Sequence, residues 1–535
     1  MSGFPPDLRA RSLAALRDNT VDVLILGGGI NGAGIARDLG LRRQSNDSLQ
    51  VALLDKAHFA SGTSGRNSQL IHGGLRYLKY LKMGLVKESL RERAILRQIA
   101  PHLVEPLAFL MPIYSRIDKI KYGMGLSMYD QLAGDSNISK HREVSKGEIA
   151  QLEPTMSTKG LVGGAIFYDC HVHSARFVLE NLFDAADNGV SLANYTDAKP
   201  LERTPDGPWR VHCKDLLTGE EFETRAKKLV DATGPWSQPG DSPPRLVRGS
   251  HIILNRLTAE EHAIAYFDDN GRIVFFIPWG SQKQLTLLGT TDVDHKGDAD
   301  SAHISKEEVD YLLSIANKLY PTSGPLKPLA AFSSLRPLVS DGASSATEAT
   351  REHKIWNTKD NILRIQGGKY TIYRHMSEEA VNMILKELSP WLNTPSRTAT
   401  EPLCGNTPKA LEKLRHDAPS LAEQYRLSRN DVELVIREYG LHTPDVLAMV
   451  PEEDFGAIRR TEFARLAFAV QHEMAATLSD LLLVSTYIGY DRDWDMAQLE
   501  PYAYLIGSWM GWDTARQHEE ALDVLHRIAL PGDGD

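Results

Sequence analysis

Val21-Asp22-Val23-Leu24-Ile25-Leu26-Gly27-Gly28-Gly29-Ile30-Asn31-Gly32-Ala33-Gly34 is the stretch on which the fold turns. Six residues rich in β-formers come first, then glycines, then a helix-forming run to Leu41, so the order is strand, tight turn, helix. Gly27, Gly29 and Gly32 satisfy G-x-G-x-x-G. Their missing side chains permit the turn, let a pyrophosphate approach backbone N–H groups, and allow close packing of helix on strand. Val51-Ala52-Leu53-Leu54 reads as a second buried strand, and Asp55 ends it where an acid is expected to bind ribose hydroxyls. The pattern predicts a dinucleotide-binding α/β domain.

NAD and FAD folds share this opening, and later segments choose between them. Ser61-Gly62-Thr63-Ser64-Gly65-Arg66-Asn67-Ser68 is a run of mostly small residues leading to His72-Gly73-Gly74. Such a chain can lie along an extended cofactor, and an NAD site has no evident need of it. Lys228-Leu229-Val230-Asp231 is a further strand, ending in the small turn Thr233-Gly234. Ile362 to Gly368 repeats the strand-then-glycine plan and leads into a helix whose N-terminus suits negative charge on a reduced flavin. FAD is the expected cofactor. Its expected contacts are Gly27, Gly29, Gly32, Asp55, Ser61, Thr63, Ser64, His72, Gly73, Gly74, Thr233, Gly234, Gly367 and Gly368.

Composition bounds the rest. At 535 residues the chain is too long for one ordinary core, and 42% hydrophobic with 24% charged residues is globular. A formal charge of −10 argues against nucleic acid, so any anion must meet local basic clusters. Cys170, Cys213 and Cys404 lack C-x-x-C spacing, which fits a reducing cytosol without disulfides or thiolate zinc. His171 and His173 alternate on a strand without a third ligand. Asp491, Asp493 and Asp495 open like a calcium loop, but Met496 stands at the required Gly and Tyr502 at the required Glu. No metal is expected. No apolar run reaches the length of a membrane-spanning helix.

Leu70-Ile71-His72-Gly73-Gly74-Leu75-Arg76-Tyr77, Ala232-Thr233-Gly234-Pro235-Trp236, Gly249-Ser250-His251, Gly289-Thr290-Thr291-Asp292, Leu335-Arg336-Pro337 and Gly367-Gly368-Lys369 resemble the FAD-dependent glycerol-3-phosphate dehydrogenase family, over nearly the whole chain. The resemblance implies a glutathione-reductase-type FAD-binding Rossmann domain, an interleaved β-sheet substrate domain and a helical C-terminal domain. The expected oxidoreductase domain covers residues 15–390. Its flavin-binding parts are about 15–100, 145–245 and 330–390, its substrate-covering parts about 101–144 and 246–329, and helices follow over 409–535. A quinone, or in some members oxygen, is the implied electron acceptor.

The implied substrate is a small phosphorylated polyol, sn-glycerol 3-phosphate first. A phosphate dianion inside a net-acidic protein needs converging cations, and arginine forks suit it. Arg76, Arg336, Arg351 and Lys369 match family positions in or beside the substrate pocket, and Tyr77 adds a hydroxyl donor. Oxidation moves a hydride to the flavin while the hydroxyl loses a proton, so a base is required. His251, at the start of an apolar strand, is the expected base; His72 is its rival, and Arg336 stabilises the developing alkoxide.

Three departures stand against the family pattern. Gln69 replaces a common Lys, His171-Val172-His173-Ser174 lacks the acidic residues usual before Ala175-Arg176, and Leu483-Val484-Ser485-Thr486 replaces Arg-Arg-Thr. They leave open a longer substrate such as erythritol phosphate; a non-catalytic flavin-binding sensor is a third reading. Over residues 101–132, Ile113, Tyr114, Ile117, Ile120, Tyr122, Met124, Leu126, Met128 and Tyr129 are interleaved with Arg116, Lys119 and Lys121. That pattern suits an anionic lipid surface and a quinone entrance, or else a partly buried helix pair. With the resemblance, peripheral attachment at the cytoplasmic face of the inner membrane and a homodimer are expected.

Overall fold

The decisive stretch folds as its pattern requires: Thr20–Leu26 is a strand, and Ile30–Arg43 is the helix after the glycines. The computed structural model describes residues 3–532 except 18, 44–48, 81, 204–206, 238–242, 322–323, 340–351 and 389–393, and omits the side chains of Arg76, Lys79 and Tyr80. Val23, Leu24 and Ile25 are wholly buried, as in a parallel strand covered on both faces. Val51–Leu54 lies parallel on one side, with Leu24 beside Ala52, and Glu221–Asp231 on the other, with Leu24 beside Leu229. Ile362–Gly367 and Ser191–Ala193 extend the parallel set. Antiparallel His353–Asn357, Trp209–Asp215 and Thr196–Arg203 complete eight strands among the described residues. Helices Ile30–Arg43, Ser174–Asp187 and Tyr373–Leu388 cover one face, burying Leu39, Phe177 and Val381. On the other, Leu24, Ala52 and Leu54 pack against Leu13, Leu16, Trp209 and Val211.

A second, mostly antiparallel sheet has ten strands among the described residues. Its order is Val293–Asp294, Arg245–Asn255, Leu285–Gly289, Ile273–Trp279, Ala263–Phe267, Val104–Ile113, Gly163–Val172 and Leu70–Ile71. Ala330–Leu338 pairs with Arg245–Asn255, and Arg142–Val144 with Gly163–Val172. Leu70–Ile71, Gly163–Val172 and Ala330–Leu338 come from stretches that the sequence reading assigns to flavin binding, yet they pair here. The chain crosses repeatedly between the sheets, so loops of both meet at one seam.

Residues 101–132 are a strand, Val104–Ile113, followed by the helix Arg116–Ala133, and not a helix pair. The C-terminal part is helical, with Pro408–Tyr425, Arg429–Tyr439, Arg460–His472, Met496–Met510 and Thr514–Ile528 as its principal helices. Thr407, Ser428, Asp495 and Asp513 cap four of them by accepting backbone N–H bonds. These helices share a core with the first sheet: Leu482, Ile506 and Val524 belong to the same buried cluster as Val23 and Ile25. No helix among the described residues is long and apolar enough to cross a membrane.

Candidate active site at the seam of the two sheets

A cavity of about 2270 Å³ follows the seam. Gly27, Gly29, Ile30 and Asn31 line it, so the N-terminus of Ile30–Arg43, with its positive dipole end, faces the space. Gly32 lies behind that turn, where a Cβ would sit 1.9 Å from the Gly27 carbonyl oxygen. Asp55 lines the cavity, its Oδ2 accepting from Gly28 N (2.6 Å) and its Oδ1 from Ala57 N (2.8 Å). Each oxygen keeps a lone pair for a hydroxyl donor. Burial raises the Asp55 pKa, against the pull of those two N–H groups.

Ser61, Thr63, Ser64, His72, Gly74, Thr233, Gly234, Gly367 and Gly368 line the same space. The small-residue loop is pinned at its middle by two adjacent residues: Thr63 Oγ1 donates to Leu335 O (2.6 Å), and Ser64 Oγ accepts from Ile30 N (2.9 Å). Gly73 does not line the cavity; it is buried, donating to Tyr129 OH (2.8 Å). A helix N-terminus, a carboxylate at the end of the second strand and a long wall of small residues in one continuous space fit FAD.

The opposite wall carries the polar side chains of the second sheet. His251 and Arg336 stand on paired antiparallel strands, in which Arg336 lies opposite Val247 and Phe332 opposite His251. The Arg336 guanidinium rests over Gly249, where a Cβ would lie 2.2 Å from Nη2, and His251, two residues further on, projects from the same face. Arg336 donates to Asp292 Oδ1 (2.9 Å), Thr291 O (3.1 Å) and Thr290 Oγ1 (2.7 Å), so the fork is fixed. His251 is 1% exposed and stacked on Phe332 at 5.0 Å. Its Nε2 is 2.8 Å from the Oγ of Ser68, which lines the cavity, whereas its buried Nδ1 has no partner among the described residues. Burial, with the charge of Arg336 added, pushes the imidazole down to about 3, so the ring is neutral at physiological pH.

Lys369 lies beneath the glycine pair, its Nζ 4.1 Å from the Tyr77 ring centroid and donating to Ser89 Oγ (3.0 Å). Lys369 and Tyr77 both line the cavity. Arg351 and the Arg76 side chain lie outside the described residues. Sequence reasoning missed Ser68, Ser89 and Asp292 as partners. Ser68 and Asp292 sit inside quoted motifs, but nothing in the interior of Met83–Ile99 marked Ser89.

The departures from the family pattern lie away from the cavity wall. Gln69 is wholly buried: its Oε1 accepts from Ser174 N (2.7 Å) and its Nε2 donates to Tyr487 OH (3.2 Å). His173 caps Ser174–Asp187 by accepting from Arg176 N and stacks on Tyr487 at 4.3 Å. Arg176 donates to Ser485 O (3.0 Å) and pairs with Glu473 (2.5 Å). The segments around 173 and 485 therefore meet in one buried contact.

Fold and site define a flavin-dependent oxidoreductase. The model of the FAD dependent oxidoreductase family matches residues 22–367, and that of the C-terminal domain of alpha-glycerophosphate oxidase matches residues 396–517. A glycerol-3-phosphate dehydrogenase of Synechocystis sp. is 32% identical over 96% of this chain and 97% of its own length. An aerobic glycerol-3-phosphate dehydrogenase of Staphylococcus aureus is 30% identical over 88% of this chain and 87% of its own. Among solved structures, the glycerol-3-phosphate dehydrogenase of Bacillus halodurans complexed with FAD has the same fold, with a TM-score of 0.77 at 24% identity, covering 98% of this chain and 97% of that one. The chain belongs to the FAD-dependent glycerol-3-phosphate dehydrogenase family.

Proposed function

We propose that this enzyme oxidises sn-glycerol 3-phosphate to dihydroxyacetone phosphate at the seam and passes the electrons to a membrane quinone. The observation that carries the reading is the meeting, in one cavity, of an FAD-type glycine turn with His251, Arg336 and Lys369. Bound FAD supplies the two-electron acceptor for the C2 hydride. Lys369 and Tyr77, joined by Arg76 and Arg351, bind the phosphate, while Arg336 stabilises charge growing on the C2 oxygen. His251 takes the hydroxyl proton at Nε2, the nitrogen on the Ser68 side, which requires the tautomer protonated at Nδ1. A dianion bound nearby raises the affinity of this neutral ring for that proton.

The division of labour follows the seam: residues of about 15–100, 145–245 and 330–390 bind FAD, apart from Leu70–Ile71, Gly163–Val172 and Ala330–Leu338, which join the second sheet; about 101–144 and 246–329 cover the substrate, and 409–535 buttress both. The position of His251 at 246–329 and of the glycine turn at 15–100 supports it. Attachment to the cytoplasmic face of a membrane is supported by the helix Arg116–Ala133. Its Ile117, Ile120 and Met124, at helical spacing, are 78%, 67% and 63% exposed beside Arg116 and Lys121.

Anaerobic mixing of the flavin-loaded protein with glycerol 3-phosphate, erythritol 4-phosphate or glycerol tests the function. Rapid flavin bleaching by glycerol 3-phosphate and little by glycerol is expected. Equal rates with glycerol would remove the phosphate pocket, and a faster reaction with erythritol 4-phosphate would replace the substrate.

A further inference from the structure

Behind the reacting side chains lies a carboxylate that never reaches the cavity. Glu308 belongs to the helix Lys306–Leu319 and is 4% exposed. Its Oε1 accepts from Thr291 Oγ1 (2.6 Å) and Ser250 Oγ (2.9 Å), and its Oε2 from Arg248 Nη2 (2.7 Å) and Ser305 N (3.0 Å). Ser250 Oγ is also 2.7 Å from Ser333 Oγ on the strand that carries Arg336, and Ser250 N donates to Thr291 Oγ1 (2.9 Å).

These partners are placed tellingly in the chain. Ser250 precedes His251. Thr291 lies between Thr290 and Asp292, and all three residues accept hydrogen bonds from Arg336. One carboxylate thus ties the strand of the base to the turn that holds the guanidinium. The capping box of Lys306–Leu319 needs only the Oε2 bond to Ser305 N and the Ser305 side chain bond to Glu308 N. The other three bonds exceed what a helix cap requires.

We propose that Glu308 is a positioning residue for the oxidation, fixing His251 and Arg336 relative to each other through Ser250 and Thr291. The proposal rests on the function proposed above. A buried carboxylate that accepts four bonds has little freedom, and its charge-assisted bonds to hydroxyls are stronger than neutral ones. Its removal leaves the Asp292–Arg336 pair formed but the turn carrying it loose.

The test uses flavin-loaded wild type, Glu308→Gln, Ser250→Ala and the double variant. Three readouts are taken: flavin content, dissociation of the product dihydroxyacetone phosphate from the oxidised protein by perturbation of the flavin spectrum, and anaerobic bleaching by glycerol 3-phosphate. Wild type that fails to bleach sinks the proposed function itself, independently of Glu308. With wild type active, Glu308→Gln at full flavin content is expected to lose about tenfold in both product affinity and bleaching rate. Ser250→Ala is expected to lose about threefold, and the double variant no more than Glu308→Gln alone, because both act along one path. Full affinity and rate in Glu308→Gln, or additive losses in the double variant, would overturn the proposal. Should Glu308→Gln not fold, unchanged kinetics in Ser250→Ala would overturn it.

Discussion

Gly249 has no reactive group, yet it makes the room in which Arg336 lies. A Cβ at 249 would meet the Arg336 guanidinium at 2.2 to 2.4 Å. The clashing atoms are the far end of a flexible side chain, so Gly249→Ala is expected to fold and bind FAD while pushing the fork away from Thr290 and Asp292. A displacement of this size costs about a hundredfold in kcat/KM. Arg336→Ala, which removes the fork, is expected to be at least as slow, and the pair Gly249→Ala/Arg336→Ala no slower than Arg336→Ala. Steady-state rates with flavin content measured alongside decide it, and a Gly249→Ala enzyme with wild-type kcat/KM would show that the fork has no part in the reaction. His251→Asn bears on the base in the same assay: loss of proton transfer costs about 10²- to 10⁴-fold at unchanged flavin content.

At the scale of elements, the helix Arg116–Ala133 divides cleanly into two faces. Leu126 and Tyr129 are buried and Tyr122 stacks on Phe267 at 4.7 Å, while Ile117, Ile120 and Met124 face outward. Replacing these three by Glu removes apolar area without touching the buried face. It is expected to weaken binding to vesicles containing anionic lipid by about tenfold or more, at unchanged activity with a soluble dye. Unaltered vesicle binding would move membrane contact elsewhere on the surface. The same segment shows where sequence patterning stops being readable. The strand Thr20–Leu26, the glycine turn and the helix after it were legible because strand period, glycine spacing and helix length agree locally. Val104–Ile113 was not, since its apolar residues fit a buried strand or a helix equally until Gly163–Val172 is seen beside it. That the glycine turns, His251, Arg336 and Lys369 come together on one cavity was also legible, because the quoted motifs contain them. The partners that aim them were hidden: Ser68 is 183 residues from His251, and Asp292 is 44 from Arg336. The burial of Gln69 was not legible either, since a residue's neighbours in sequence do not tell which side of a loop its side chain takes.

For the molecule as a whole, the first sheet and the C-terminal helices share one buried core. Buried imidazoles set its response to acid. Burial pushes His171 down to about 4 and His442 to about 4, and drives His173 well below its ordinary 6.5. Their folded values lie under the unfolded one, so above pH 6.5 both states are neutral and these groups contribute no pH dependence. Below it the unfolded chain takes up protons that the folded chain refuses, and stability falls by about 1.4 kcal/mol per pH unit for each imidazole until the folded value is reached. Buried carboxylates such as Asp169, whose pKa is raised by burial, act in the opposite direction, so one histidine is best isolated by difference. His171 suits this, because its buried Nε2 has no hydrogen-bond partner among the described residues. His171→Phe keeps a ring of similar shape and removes the titration. Relative to wild type, the variant's unfolding free energy in urea is expected to be independent of pH above 7. It should then rise by about 1.4 kcal/mol per unit between pH 6 and 4, as the wild type alone is penalised by proton uptake on unfolding. Parallel stability curves for the two proteins across that range would mean that His171 is protonated as readily in the fold as out of it, and that the acid response of the molecule arises from other groups.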